Sequence, residues 1–330
     1  MDSVPIRFCE DVFILLQWPD YQFLSIADKV PDPWKTLAKR FGANQQSIRV
    51  VFGIEHGEWC CWVEEMEGFG LQSLKELLAV DRRYFRCTEI SVCEEEHLIM
   101  YNKICSRKED ITKKVIPFLN TIPQKTHLNF WGPRETMLAY LEIFRNLRIF
   151  NYIDLPYCGR ESEDFLEAQL NNSPRLETFR LMGPWPNTEA VEKLFLRFFD
   201  SDMDRVSVII PPDDLEERKS SLKVTLQILK AVFRSWYDLG NNLTEVSGPP
   251  GITKEEILSL PVPEGLRRSH EGRNGGKVWY VRWSKPNGSR FECFLTDSEL
   301  CIEGKNKKNL QSSVEEALCS PGHCDRGYHD

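Results

Sequence analysis

The stretch THLNFWGPRETMLAYLEIF, residues 126–144, decides the fold class of this chain. Its first part, Leu128–Phe130, has the character of a short strand and stops shortly before Pro133. Its second part repeats apolar residues at i, i+3, i+4 and i+7, which is the spacing of an amphipathic helix. These residues are Met137, Tyr140, Leu141 and Phe144. One strand followed by one helix predicts an α/β unit.

The same order of strand, proline and helix occurs three more times. The further strands are Phe150–Tyr152, Phe179–Leu181 and Val206–Val208. Each strand lies before a proline, and the later prolines are Pro156, Pro184 and Pro211. Their spacing of about 20–29 residues is the period of leucine-rich-type repeats, with one strand and one helix per unit.

The helices of the later units support this period unequally. The second helix, near Phe165–Leu170, has a weak apolar stripe. The third and fourth helices have strong stripes, formed by Val191, Leu194, Phe195 and Phe198 and by Leu222, Leu226, Leu229, Phe233 and Trp236. Such units stack and share one core, because no unit buries its stripe alone. The alternative is an ordinary α/β domain in which four strand–helix units are similar in size.

Two β-hairpins are predicted on either side of this array. Apolar residues alternate with polar ones over Ile48–Phe52 and again over Trp59–Val63, and Glu55–Gly57 supplies the turn. Within residues 277–302, the pair Asn287-Gly288 separates two further alternating runs. Asn-Gly between strands is a strong hairpin signal.

The remaining segments give single elements. Residues 74–80 are predicted to be helical, residues 88–92 to form a strand, and a further helix is predicted up to Leu119. Thr253 with Glu256 predicts a capping box that begins a short helix.

The predicted fold class is therefore α/β, a leucine-rich-repeat-like strand–helix array with flanking hairpins. Residues 1–45 form a helical region, and residues 46–303 form the repeat-like domain, clearest over 125–240. Residues 304–330 are polar and aperiodic, which predicts a disordered tail.

The composition indicates which kinds of partner and which cellular compartment to expect. Lys and Arg number 42 against 50 Asp and Glu, so the net charge of −8 disfavours a general nucleic-acid binder. No apolar run is long enough to cross a membrane or to serve as a secretory signal. The eleven cysteines fit a reducing compartment and the role of small buried residues. We expect a cytoplasmic or nuclear protein with neither a membrane nor a nucleic-acid partner.

Motifs for catalysis are missing from the sequence. It has no Gly-rich phosphate loop, no nucleophile elbow and no paired Cys-x-x-Cys with zinc spacing. Cys93 with His97 could hold a metal only with further ligands, which the sequence does not supply. We therefore predict no enzyme, no catalytic residue, no cofactor and no metal.

The N-terminus resembles an F-box. Val4–Leu16 opens with an apolar-Pro pair and continues as an amphipathic helix, and Trp34–Ala38 follows about 25 residues later. Together with the hairpin, the strand–helix units and the late Trp-rich hairpin, this organisation is similar to the nematode F-box and F-box-associated families.

The resemblance implies a substrate receptor of a cullin–RING ubiquitin ligase. Its N-terminal helices would dock on the small adaptor subunit, and its repeat domain would bind a protein substrate. The adaptor-binding candidates are Val4, Pro5, Phe8, Val12, Leu15, Leu16 and Trp34. The alternative for these residues is packing onto the chain's own first hairpin.

Strand alternation nominates a substrate-binding face. A strand residue between two buried neighbours points to the opposite face of the sheet. The candidates are Asn129, Asn151, Arg180 and Ser207. Trp185, in the Pro184–Pro186 loop, either is exposed as an anchor for a partner or caps the adjacent helix.

Three functions are therefore under comparison. The first is a ligase substrate receptor, and the second is a non-catalytic interaction scaffold of the same fold without a ligase partner. They differ in whether the apolar edge of the first helix is exposed or buried. The third is an enzyme, which would need a pocket with convergent titratable groups.

Overall fold

The computed structural model describes residues 5–16, 20–65, 73–93, 102–105, 107–122, 125–201, 203–211 and 220–307. The fold is mixed α/β, as the sequence predicts. The chain divides into two compact units, residues 1–176 and residues 177–330. None of the helices within these described ranges combines the length and the apolar character needed to cross a bilayer.

The first unit begins with three helices, α1 (Ile6–Leu16), α2 (Asp20–Ala27) and α3 (Trp34–Asn44). Their buried residues form one cluster with a residue from a later loop, and Phe13 contacts the rings of Phe23, Trp34 and Phe41 within it. The buried members are Cys9, Phe13, Phe23, Ala27, Leu37, Ala38, Phe41 and Tyr84. The helical character predicted for residues 1–45 is confirmed over the described part.

Six strands form the sheet of the first unit. They are β1 (Gln46–Glu55), β2 (Glu58–Glu65), β3 (Phe85–Val92), β4 (Asn102–Cys105), β5 (Thr126–Phe130) and β6 (Phe150–Pro156). Strands β1, β3, β5 and β6 are parallel, and β2 pairs antiparallel with β1 and β4. The first hairpin is confirmed, and its turn residues His56 and Gly57 both have positive φ, as the tight hairpin turn requires.

The helices of this unit pack on one face of the strands. They are α4 (Leu74–Ala79), α5 (Lys108–Asp110), a π turn (Ile111–Val115), α6 (Ile116–Leu119), α7 (Arg134–Phe144) and α8 (Arg160–Asn172). Phe52 of β1 contacts the rings of Tyr140 and Phe144 on α7. We call this the helix face of the sheet and the opposite side the second face.

Helix α8 is longer than its weak apolar stripe predicts. Gln169 occupies a fully buried position on it and donates its side-chain amide to the backbone oxygens of Phe144 and Arg145. A polar residue whose hydrogen bonds are satisfied thus occupies a core position. Apolar periodicity in the sequence does not identify such a position, because glutamine is counted as a polar surface residue.

The second unit has seven strands in its sheet. They are β7 (Thr178–Met182), β8 (Arg205–Ile209), β9 (Leu243–Gly248), β10 (Arg267–Arg273), β11 (Val278–Ser284), β12 (Arg290–Leu295) and β13 (Leu300–Lys305). Strands β7, β8 and β9 are parallel, and β9, β13, β12, β11 and β10 pair antiparallel in that order. The hairpin of β11 and β12 is confirmed, and β13 continues to Lys305, beyond the predicted start of the tail at residue 304.

The helices of the second unit are α9 (Glu189–Phe199), α10 (Leu226–Arg234) with a π turn (Ser235–Leu239), and α11 (Lys254–Ser259). The capping box of Thr253 and Glu256 is confirmed. Helix α10 begins four residues later than predicted, because Thr225 caps it and Val224 instead forms a bridge with Pro250. Leu222 is buried outside the helix.

Tyr140 ties α7 to the first hairpin and gives a test of the first unit. Its buried hydroxyl lies 3.0 Å from the backbone oxygen of Gly53 and 3.3 Å from that of Cys60. We expect Tyr140→Phe to lower the free energy of unfolding by about 1–2 kcal/mol, because a buried carbonyl loses its donor. Tyr157→Phe, which removes a half-buried hydroxyl, should cost clearly less in the same urea titration. Equal costs would contradict this role of Tyr140.

Candidate protein-interaction surfaces

Helix α1 has one side that packs into the helical cluster. Cys9 and Phe13, one turn apart, are buried there, and Leu16 packs partly buried against the same cluster. Glu10 lies 3.4 Å from Arg40 on α3, an ion pair that also orients this side of α1 towards its neighbours. The core side of the helix is therefore set by Cys9 and Phe13.

Besides this core side, the first two turns of α1 carry apolar residues that the helical cluster leaves exposed or half-buried. Ile6 is 58% exposed and Phe8 is 54% exposed, although both are large apolar residues. Pro5 is also exposed, and Val12 is half-buried. We call Pro5, Ile6, Phe8 and Val12 the apolar edge. Large apolar side chains that stay in contact with water are typical of a surface that another protein covers.

The adaptor-binding candidates divide between this edge and the core. Pro5, Phe8 and Val12 belong to the apolar edge, whereas Leu16 and Trp34 pack partly buried against the helical cluster. Val4 and the side chain of Leu15 lie outside the described residues. The cluster that Leu16 and Trp34 contact consists, among the described residues, of α1, α2 and α3 with Tyr84, and it contains no residue of the first hairpin.

Ile6 is an edge residue that the sequence analysis did not nominate. Its spacing from Cys9 and Phe13 indicates the buried side of the helix, yet it is exposed. The cluster therefore ends at Cys9, within the first turn of α1, and no periodicity in the sequence marks that end.

The second face of the first unit's sheet carries a row of charged residues. Arg49 on β1 lies between Glu64 on β2 and Glu89 on β3, with nitrogen–oxygen distances of 2.7 and 3.0 Å. The hydroxyl of Ser91 donates to the other oxygen of Glu89 at 2.6 Å. This part of the face satisfies its own hydrogen bonds.

The same face continues onto β5 and β6 with a second group of polar residues. His127 Nε2 lies 2.9 Å from Asp154 Oδ2, and the ring of Tyr152 stands edge-on to His127 at 4.5 Å. Asn129 lies two residues beyond His127 on the same face. The Oδ1 atoms of both Asn129 and Asp154 are buried, and neither has a hydrogen-bond partner in the described part of the chain. The sequence analysis nominated Asn129 but missed Asp154, His127 and Tyr152.

The second unit presents a row of carboxylates on the face of its sheet opposite α10, which we call the second face of this unit. Glu245, Glu303 and Glu292 are directly opposite one another on β9, β13 and β12. Desolvation and the charge of Glu303 raise the pKa of Glu245, while a hydrogen bond from Ser207 and the charge of Lys305 oppose the rise. Arg282 pairs with Glu292 at 2.5 Å at the end of the row.

The nominated substrate face needs three corrections. Asn129 and Ser207 are buried, and of the four strand candidates only Arg180 is exposed. Asn151 sits at an irregularity where β6 has an extra residue relative to β5, so Tyr152 and not Asn151 stands beside His127. Trp185 is completely buried and therefore offers no exposed anchor.

The described residues give little support for a metal site or for a reactive cysteine. Within them, no three His, Cys, Asp or Glu side chains group so as to hold a metal ion. Burial raises the pKa of the Cys87 thiol to about 12 and that of Cys93 to about 11, which disfavours the reactive thiolate. His97, the suggested partner of Cys93, lies outside the described residues.

Comparisons with known proteins do not place the chain in a family. No protein-family model matches it, and no curated protein matches it in sequence. A structural comparison gives a proposed sugar kinase from Clostridium perfringens, with 10% sequence identity and a TM-score of 0.18. The match covers 76% of this chain and 73% of that one, and a score so low carries no argument about fold or activity.

The two sides of α1 should differ in their contribution to stability. We expect Phe13→Ala to cost about 3–5 kcal/mol, because it empties a buried ring position. Phe8→Ala should cost less than about 1 kcal/mol, because the ring is already half in water. Urea unfolding of the two variants measures both values. A cost for Phe8→Ala close to that of Phe13→Ala would mean that the apolar edge belongs to the core.

Glu245 gives a pH-dependent prediction for the second unit. Its raised pKa means that the folded protein disfavours the ionised carboxyl, so stability is lost as pH rises from the ordinary carboxyl pKa through the raised one. Glu245→Gln should therefore raise the melting temperature at pH 7.5 and leave it nearly unchanged at pH 4. A variant stabilised equally at both pH values would contradict the assignment.

Proposed function

We propose that this chain is the substrate-recognition subunit of a cullin–RING ubiquitin ligase. In this proposal the N-terminal helices are an F-box-like region that binds the small adaptor subunit. The rest of the chain binds a protein substrate, and the ubiquitin chemistry resides on other subunits. The chain itself is then not an enzyme and has no cofactor.

The observation that carries the proposal is the apolar edge of α1. The helix has already buried Cys9 and Phe13 in its own core, and it still exposes Ile6 and Phe8. An amphipathic helix that binds in a groove needs apolar side chains spaced along one accessible side. Pro5, Phe8 and Val12 have that spacing. They are the adaptor-binding candidates that the helical cluster leaves accessible to a partner.

The organisation of the strand–helix units is consistent with a substrate domain. We infer a leucine-rich-type arrangement, in which β5 and β6, and separately β7 and β8, are successive parallel strands. Helices α7 and α9 follow the first strand of each pair. Substrate would bind through the second face of the sheets, in the cytoplasm or the nucleus, without nucleic acid or membrane.

A pull-down against the small adaptor subunit tests the proposal. We expect the double variant Ile6→Asp/Phe8→Asp to lose at least about tenfold in binding, because apolar anchors dominate such interfaces. Acidic residues in the first turn of a helix are favourable, so α1 should remain folded, which circular dichroism checks.

Leu239→Asp/Val262→Asp is the matched control. Both residues are 43% exposed and lie in the second unit, so the same addition of two negative charges there should leave adaptor binding intact. If the wild-type chain does not bind the adaptor, the ligase function is wrong and the interaction scaffold becomes the better hypothesis. Equal losses in the double variant and the control would show that binding follows general charge and not the apolar edge.

A further inference from the structure

Two buried oxygens on the second face of the first unit lack donors among the residues that the structure describes. Asp154 is 5% exposed and Asn129 is 7% exposed, and the Oδ1 atom of each has no hydrogen-bond partner. The neighbouring strands β5 and β6 bring them side by side, since the pair Leu128 and Ile153 directly precedes them. Leaving such groups unpaired costs free energy, most of all for a carboxylate.

Three donor side chains that the structure describes near these oxygens, His127, Ser91 and Arg49, face other acceptors. His127 Nε2 faces the other oxygen of Asp154, at 2.9 Å. The Ser91 hydroxyl donates to Glu89, and Arg49 bridges Glu89 and Glu64. A group that satisfies both free oxygens must therefore bring its own donors, and a positive charge would compensate Asp154.

We propose that Asn129 and Asp154 form a recognition site for an arginine side chain of the protein substrate. A guanidinium has several donors in one plane and can reach acceptors on two adjacent strands, and it is desolvated more easily than an ammonium group. Trp131 follows Asn129 by two residues and is 64% exposed, so strand alternation offers an aromatic surface on the same face.

Access to the site requires a local side-chain rotation. Both oxygens are closed to water, but the adjoining side chain of His127 is 34% exposed and Tyr152 is half-buried. Rotations of partly exposed rings are fast compared with binding. The guanidinium enters when this ring pair turns outward, and it then takes the place of the missing donors.

The proposal predicts an unusual effect of Asp154→Asn on the free protein. The new amide keeps an oxygen for His127 and brings an NH2 group to the Asn129 oxygen, so the melting temperature should rise. Glu89→Gln is the matched comparison, and it should lower the melting temperature because Glu89 is fully paired with Arg49 and Ser91. If Asp154 had a purely structural role, Asp154→Asn would lower the melting temperature, as Glu89→Gln does. A less stable Asp154→Asn variant therefore overturns the proposal.

Binding is tested with N-acetyl-L-argininamide on the full chain. At about ten times its dissociation constant, the compound should raise the wild-type melting temperature by about 2–4 °C. Asp154→Asn should abolish the shift, and N-acetyl-L-lysinamide at equal ionic strength should give a clearly smaller one. No wild-type shift, an equal shift in the variant, or an equal shift with the lysine compound would each overturn the arginine site.

The arginine site rests on the proposed function, because it names a chemical feature of the protein substrate. The arginine site and adaptor binding are tested by different experiments, so one can be wrong while the other holds. The arginine test involves no adaptor, and Asp154→Asn leaves the apolar edge of α1 unchanged. Loss of the ligase function would therefore leave an arginine-binding interaction protein. Failure of the arginine test would leave adaptor binding untouched.

Discussion

One-sided packing of helices on strands is the constraint on which the rest of this structure depends. Because successive side chains of a strand point to opposite faces, helices on one face divide strand residues between a core set and a set on the second face. The second face is polar along β5, whereas Val51 and Trp62 are buried apolar residues on it. Phe52, Leu128 and Phe130 are in the core set, and Arg49, His127 and Asn129 are in the other. The ion pairs of Arg49 and the proposed recognition site at Asn129 both lie on the second face for this reason.

The N-terminal helices follow the same rule with a different period. Cys9 and Phe13 complete the core of α1, and the first turn then extends past the cluster with Ile6 and Phe8 exposed. A helix that served only to close its own core would have no need of two large apolar residues in water. This exposed apolar surface is the physical reason for proposing a binding partner.

The buried and half-buried carboxylates on the second face of each unit differ in whether hydrogen bonds and opposite charges compensate them. Glu89 is held by Arg49 and Ser91, and such a paired carboxylate stabilises the fold. Asp154 retains a free buried oxygen, and Glu245 is desolvated beside Glu303, which raises its pKa. Sites where a protein tolerates such costs are often sites of function, because the missing partner arrives with the ligand.

The sequence by itself determined the α/β class, the first and last hairpins and the four central strands, because periods of 2 and 3.6 residues are local properties. It also indicated that α1 is a helix, but it did not single out Cys9 and Phe13 as its buried residues. Only the tertiary structure decided that Trp185 is buried, that Ile6 is exposed, and that an extra residue at Asn151 puts Tyr152 beside His127. The Asn129–Asp154 pair was equally hidden, because its members lie on different strands and become neighbours only through the register of β5 and β6.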